Sequence, residues 1–474
     1  MRTCDGRGML GDVGLEPIVC SARLLEQGMT RRSTAIGSMA IISAMLVGAC
    51  LENEPPTKGE AFWAGIKPVE VANGRAHRGP WLMNETDLDY VDDPTVAITD
   101  DGDIGVAWVD QDRQSVFFQM YSPADGPRLP NPVNVSSRPG TFSWLPRLVI
   151  ATDDPRRVYV LWQEIVFSGG SHGGEIFFAR STDGGATFST PVNLSNSVAG
   201  DGKGRLTAEH WDNGSLDLAA GPNGRLYAAW TEYEGRLWAT RSADAGATFA
   251  EAILVDGDAI RPARAPALEV SGDGTLHLAW SAGSDAGAEI RIAASPDGQT
   301  FGAPQIVPSR GHADAPKIAA DSQGNLHIVH GESPGGLFQD YRIRYARRDA
   351  RSGRFSDSRT IAEADAGVDS VNFPDLAVDA ATRLYVTWQL FPDRRQRPHG
   401  LGFTVSRDGG DTFAEPEVVP QSDSSDLGFS GSLQGSLMAR LAVNAAGELA
   451  LVGSTFAEGR SSHVWLWRRS AAAR

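Results

Sequence analysis

From about residue 90 onward the chain repeats one pattern of apolar and polar positions. A short apolar segment, usually led by proline, runs into a Gly, Asn or Asp turn. An alternating, aromatic-rich segment follows and usually ends in tryptophan. The first copies are Pro94–Ile98 with Val106–Trp108, and Pro146–Ile150 with Tyr159–Trp162. Next come Leu216–Ala219 with Tyr227–Trp230, and Pro266–Val270 with His277–Trp280. The last three are Pro316–Ala319 with His327–His330, Pro374–Val378 with Tyr385–Trp388, and Ala439–Val443 with Ala450–Gly453. Alternation over such short runs, bounded by turn residues, predicts strands. Seven units about 45–70 residues apart fall in the range of β-propeller blades.

Each unit supplies an inner strand A and then strand B. Strand C follows, as at Ile176–Arg180, and an outer strand D is visible six times. The D segments are Pro132–Val135, Pro191–Leu194, Ala252–Val255, Pro304–Val307, Arg359–Ala362 and Pro416–Val419. The seventh unit ends after its strand C (Val464–Trp467), and Lys67–Ala72 at the other end of the chain is a free strand. Borrowing it would remove an open sheet edge. The expected fold is all-β, a seven-bladed propeller closed by an N-terminal strand over residues 65–470, with six blades as the alternative. The tryptophans are expected between blades, where a ring buries more apolar area than any other side chain. His277, His327 and His330 occupy strand positions filled elsewhere by Tyr or Trp, so packing is expected of them.

Between strands C and D one turn recurs. Arg180–Phe188 reads Arg-Ser-Thr-Asp-Gly-Gly-Ala-Thr-Phe, and it returns at Arg241–Phe249 and Val405–Phe413, with a shortened copy at Ser295–Phe301. Asp183 can accept hydrogen bonds from N–H groups of its own loop, and Gly184 and Gly185 admit positive φ. Thr187 and Phe188 are expected to re-enter a strand, with the ring packed beneath the turn. The Ser-x-Asp-x-Gly-x-Thr-Phe pattern resembles the Asp-box (BNR) repeat of sialidases and related β-propellers. The resemblance covers residues 65–470. It implies that Asp183, Asp244, Asp297 and Asp408 are structural, on the face away from any active site. It also implies an exo-sialidase-like activity. Known sialidases have six blades, an Arg-Ile-Pro motif, an arginine triad, a tyrosine nucleophile paired with glutamate, and an aspartate acid/base. No Arg-Ile-Pro occurs here, and Tyr90, Tyr121, Tyr233 and Tyr341 have no identifiable glutamate partner.

The first fifty residues read as processing. Met29-Thr-Arg-Arg is a basic start, Ala35–Val47 is apolar, and Val47-Gly48-Ala49-Cys50 resembles a bacterial lipobox, in which the cysteine is lipidated. The apolar run falls short of the roughly 20 residues that span a bilayer. The expected division is a leader and signal peptide at 1–49, a polar tether at 50–64, and the propeller. Membrane attachment is then through lipid at Cys50 only. The lipobox resemblance also implies outer-membrane sorting in a Gram-negative cell, since Leu51 and not aspartate follows the cysteine. With Cys50 lipidated and Cys4 and Cys20 removed, no disulfide and no cysteine metal site is available.

The net charge of −16 argues against nucleic acid as a partner. It leaves room for a local arginine cluster that binds an anion. One position on strand A gives Thr95, Arg147, Asp217, Ala267, Lys317, Asp375 and Arg440 around the ring, and its apolar neighbours place it toward the channel. Three cations and two carboxylates there could bind an anion and carry out acid–base chemistry, or form a self-satisfied ion network. Glu164, Glu232 and Glu332 follow strand B. His210-Trp211-Asp212-Asn213 precedes the third unit, Arg261 and Arg264 the fourth, and His312 and Asp314 the fifth. Trp144 stands ahead of Arg147, and Arg394, Arg395, Arg397 and His399 follow strand B of the sixth unit. A carboxylate pair with an aromatic shelf is what glycoside hydrolysis needs.

Two functions are consistent with this chemistry. One is a monomeric envelope lipoprotein that binds a glycan or an envelope protein on its channel face through Arg147, Arg440, Arg264, Lys317, His210, Trp211, Asp212 and Trp144. The other is a sialidase-like glycoside hydrolase acting on an acidic glycan, with Asp217, Asp375 and Glu232 as catalytic carboxylates. No cofactor or metal motif is present, although calcium held by loop carbonyls would leave none.

Overall fold

The computed structural model describes residues 61–76 and 90–471, apart from 124–125, 138–141, 169–170, 197–203, 207–210, 214, 233–234, 259, 285–286, 337–338, 366, 395 and 431–439. Cys50 and His210 lie outside the described residues. The chain is all-β: seven antiparallel sheets form the blades of a propeller. Blade 2 is representative, with strands Phe142–Ile150, Val158–Ser168, Ser171–Ser181 and Val192–Asn193 in that order from channel to rim. Blade 7 takes strands A to C from Leu441–Val443, Leu449–Ala457 and Ser461–Arg469. Its outer strand is Val69–Gly74, which pairs with the last of these. The two ends of the propeller are thereby tied into one sheet, as the unpaired seventh unit required.

Strand A begins earlier than its prolines suggested. In five blades it starts several residues ahead of the proline, and the register slips at that point, between Asp92 and Thr95, Trp144 and Arg147, Arg264 and Ala267, Asp314 and Lys317, and Asn372 and Asp375. The residue before each proline has positive φ: 49° at Asp93 and Leu145, 50° at Ala265, 52° at Ala315 and 54° at Phe373. These are β-bulges, in which the extra residue re-aims the side chains that follow. Trp144, Arg264, His312 and Asp314, expected in loops, are therefore strand residues.

Among the described residues the hydrophobic core divides into seven clusters, each centred on the wedge between two neighbouring blades, and the one between blades 2 and 3 also takes in Tyr90 and Phe456. Trp108, Trp162, Trp230, Trp280 and Trp388 are all buried in these wedges, each toward the preceding blade. In blade 5 the tryptophan place is taken by His330, which is fully buried and has no hydrogen-bond partner for either ring nitrogen among the described residues. Burial pushes this imidazole down to about 3, so it packs as a neutral ring.

The packed body extends ahead of the expected boundary at residue 65. Trp63 is buried in the wedge between blades 6 and 7. The Phe62 N–H donates to Glu417 at 2.7 Å, and its ring lies 4.7 Å from Phe403 and 3.8 Å beneath the Arg469 guanidinium.

Candidate functional site

Antiparallel order puts the A–B turns and the C–D turns on one face of the propeller and the B–C and D–A connections on the other. We call these the turn face and the loop face. On the turn face the repeated aspartates close their own loops. Asp183 accepts Thr187 N–H at 2.9 Å and the Thr187 hydroxyl at 2.6 Å, and Ser181 Oγ donates to it at 2.7 Å. Asp244 and Asp408 repeat this with Thr248 and Thr412, and Asp297 accepts Gln299 and Thr300 N–H at 2.8 Å. Hydrogen bonds to the charged form hold Asp244, Asp297 and Asp408 down to about 2, led by the Thr248 hydroxyl, the Gln299 N–H and the Thr412 hydroxyl respectively. At Asp183 partial burial works upward, but the Thr187 and Ser181 bonds outweigh it.

Two details of these turns depart from expectation. Thr187 and Phe188 lie in irregular backbone, since the outer strand of blade 2 begins only at Val192. The phenylalanines also pack on the preceding blade: Phe188 on Phe118 at 5.6 Å, Phe249 on Phe178 at 4.8 Å, and Phe413 on Tyr345 at 5.1 Å. The second glycine of each turn sits against the same neighbour. A Cβ on Gly185 would stand 2.0 Å from Phe118, and one on Gly410 would stand 1.8 Å from the Tyr345 hydroxyl.

The channel ring brings together part of what its sequence suggested. Arg147 Nε lies 3.7 Å from Asp217 Oδ1. Arg440 is influenced by Asp375, Asp92, Asp93 and Arg147 together. Both arginines are enclosed, at 3% and 1% exposure, so neither presents its guanidinium to bulk solvent. Burial pulls Arg440 down to about 10 and lowers Arg147, while the neighbouring aspartates act in the opposite direction.

The aspartates have a second task. Strand A is the innermost strand of each blade, so part of its backbone has no partner strand on the channel side. Asp217 Oδ2 accepts the N–H of Leu268 in the next blade at 2.8 Å. Asp375 Oδ2 accepts Arg440 and Leu441 N–H of the next blade at 2.5 and 2.9 Å. The same staple occurs at two residues that the sequence reading missed. Asp93 Oδ2 accepts Leu145 N–H at 3.2 Å, and Glu269 Oε1 accepts Ala320 N–H at 3.1 Å. Asp93 falls at the bulge, and Glu269 stands two residues beyond Ala267 on the same strand face; neither signal is visible without the inter-blade pairing. At Glu269 burial dominates and, with Asp217 nearby, raises the carboxyl to about 7 despite its one N–H bond.

The remaining candidates are spread over the loop face. Lys317 is half-buried on strand A of blade 5, and Arg264 Nη2 lies 4.0 Å from Asp314 Oδ2 across blades 4 and 5. Glu232 opens the tight turn between strands B and C of blade 3, where Gly235 N–H donates to its carbonyl at 2.9 Å. Glu164 is fully buried and accepts Trp162 Nε1 at 2.6 Å and Ser143 Oγ at 2.9 Å. Glu332 accepts Arg310 N–H at 2.7 Å and faces Arg344 Nε at 3.4 Å. Trp144, expected as an aromatic shelf, is buried at 2% in the blade 2–3 wedge and is a core residue. Trp211 and Asp212 lie on a short hairpin, paired with Leu206 and Arg205. Arg397 stacks on Phe429 at 4.9 Å beside Asp92 and Tyr90, and burial lowers it. Arg394 pairs with Asp340, and Arg261 with Glu289 at 3.3 Å. Among the described residues no group of three or more His, Cys, Asp or Glu side chains is placed to hold a metal ion.

No known family profile matches the sequence, and no curated protein does. Solved structures are similar in fold. BP39L lectin from Burkholderia pseudomallei shares 12% identity over 70% of this chain and 84% of its own, with a TM-score of 0.50. The polysaccharide lyase Uly1 shares 9% over 85% of this chain and 99% of its own, at 0.49. NanB sialidase from Streptococcus pneumoniae shares 10% over 64% of this chain and 65% of its own, at 0.45. Identities this low speak for the propeller fold alone.

Proposed function

We propose that the protein is a non-catalytic propeller lipoprotein of the bacterial cell envelope that holds a glycan or an envelope protein on its loop face. In this reading Cys50 carries the lipid, the outer membrane is the site of anchoring, and the aspartate turns are Asp boxes with a structural role. One observation carries it: Asp217 and Asp375, the carboxylates nearest the channel arginines, accept backbone N–H groups of the next blade. An acid/base or nucleophile must keep an oxygen available to the reacting atom. Here one oxygen of each holds blades together while the other is engaged too, Asp375 Oδ1 by Leu376 N–H at 3.0 Å and Asp217 Oδ1 by Arg147 Nε at 3.7 Å. Arg147 and Arg440 are enclosed with them. The fold shared with a lectin agrees with sugar binding without chemistry.

The test is a pair of assays on residues 60–474. A glycan array and pull-down should give binding that is lost on substituting loop-face residues such as Arg261→Ala with Arg394→Ala. A fluorogenic glycoside panel, sialosides included, should give no turnover. Turnover that vanishes in an Asp217→Asn, Asp375→Asn double variant of unchanged circular dichroism would instead establish the glycoside hydrolase and overturn the binding reading.

A further inference from the structure

The place where the chain joins the propeller bears on how an anchored molecule stands on its membrane. Phe62 sits at the turn-face end of blades 6 and 7. Its ring lies 6.0 Å from Tyr385, whose hydroxyl donates to Asp379 in the A–B turn of blade 6 at 3.0 Å. The Arg469 that covers the ring pairs with Leu449, at the end of the A–B turn of blade 7. Glu417 fixes the backbone here, accepting Phe62 N–H at 2.7 Å, and the burial of Trp63 locks the segment into the wedge. From Val69 the chain climbs toward the loop face, as its pairing from Leu466 to Ser462 requires.

We propose that the anchored protein faces its membrane with the aspartate turns and presents the loop face away from it. The proposal rests on lipidation at Cys50. Only eleven peptide steps separate Cys50 from Ala61. A chain of that length cannot exceed about 38 Å fully stretched. Strand B of blade 7 has nine residues, which is about 30 Å of blade height. A tether attached at the turn face would have to run almost straight up the blade, close to its full stretched length, to bring the loop face to the bilayer. Opposite orientation is therefore strongly disfavoured by chain length alone. The ligand of the loop face is then a polymer or protein that approaches from the compartment, rather than a headgroup of the leaflet that holds the anchor.

The experiment uses the full processed chain in liposomes. No cysteine follows Cys50, so Arg407→Cys in the blade 6 aspartate turn and Arg460→Cys in the blade 7 B–C turn, both exposed, can each be labelled with a fluorescent donor. Energy transfer to acceptor-labelled lipid headgroups should be at least about twofold more efficient from 407 than from 460. Inserting some forty Gly/Ser residues after Lys58 should abolish the difference. Equal or reversed transfer in protein that floats with the liposomes and carries lipid by mass spectrometry overturns the orientation alone. A difference that survives the insertion also overturns it, since the tether would not be its cause. Protein that neither floats nor carries lipid, and whose Cys50 takes up the dye, overturns the lipoprotein reading itself.

Discussion

The turn face and the channel of this propeller use one device, a carboxylate that accepts backbone N–H groups, with opposite electrostatic results. In the turns Asp408 is exposed, and two bonds from Thr412 hold it down to about 2. In the channel Glu269 accepts one N–H from Ala320, yet burial drives it up to about 7. Asp375, also in the channel, is buried, accepts two N–H groups of the next blade and has Arg440 beside it. Location decides whether the carboxylate is an anion held by its donors or an acid waiting for a partner. The lesson for reading such proteins is that a ring of charged residues around a channel can be a closure device. Its arginines and aspartates need face no ligand.

The largest test of that contrast is Asp375→Ala. It removes the acceptor of two backbone N–H groups and leaves Arg440 buried without its main partner, which should cost about 3–5 kcal/mol. Urea unfolding of residues 60–474 would measure it, and a loss under about 1 kcal/mol would mean that the ring does not hold the blades. Next is Gly410→Ala on the turn face. The new methyl would meet the Tyr345 hydroxyl from a backbone at φ 87°, so a cost of about 2–3 kcal/mol is expected by overpacking and backbone strain. An effect much smaller than that would show that the turns are not wedged against the neighbouring blade.

Glu269→Gln sharpens the comparison through pH. The folded carboxyl is raised, so the unfolded chain ionises first. The stability that this group contributes is complete below about 4.5 and falls as pH rises toward about 7. The glutamine variant should flatten the decline in melting temperature over that window while keeping its bond to Ala320; an unchanged slope would place the titration elsewhere. The smallest effect belongs to Asp408→Asn. Its folded pKa is depressed, so its contribution is present above about 4 and is lost as pH falls toward 2. At pH 7 the variant should lower the melting temperature by only about 1–2 °C, and the difference from wild type should shrink in acid.

Much of this was legible in the sequence, for local reasons. Alternation set strands A to D of each blade, and the unpaired seventh unit called for Lys67–Ala72 to close the ring, which Val69–Gly74 does. The turns were readable because Ser181, Asp183, Gly185 and Thr187 complete their hydrogen bonds within nine residues of chain. Proline marked the bulges but not their direction. Hence Trp144 was expected to be an exposed shelf, although the strand that carries it begins at Phe142 and buries it between blades.

What the sequence by itself determined is the set of contacts between residues close along the chain, together with seven repeated units that left six blades as the alternative. The tertiary structure alone decided which N–H each channel carboxylate accepts, because Asp217 and Leu268 are 51 residues apart and meet only when blade 3 packs on blade 4. It likewise decided that Phe62 and Glu417, separated by 355 residues, join the start of the propeller to its sixth blade. Period and propensity act over a few residues. The desolvation that separates Glu269 from Asp408 belongs to the assembled ring.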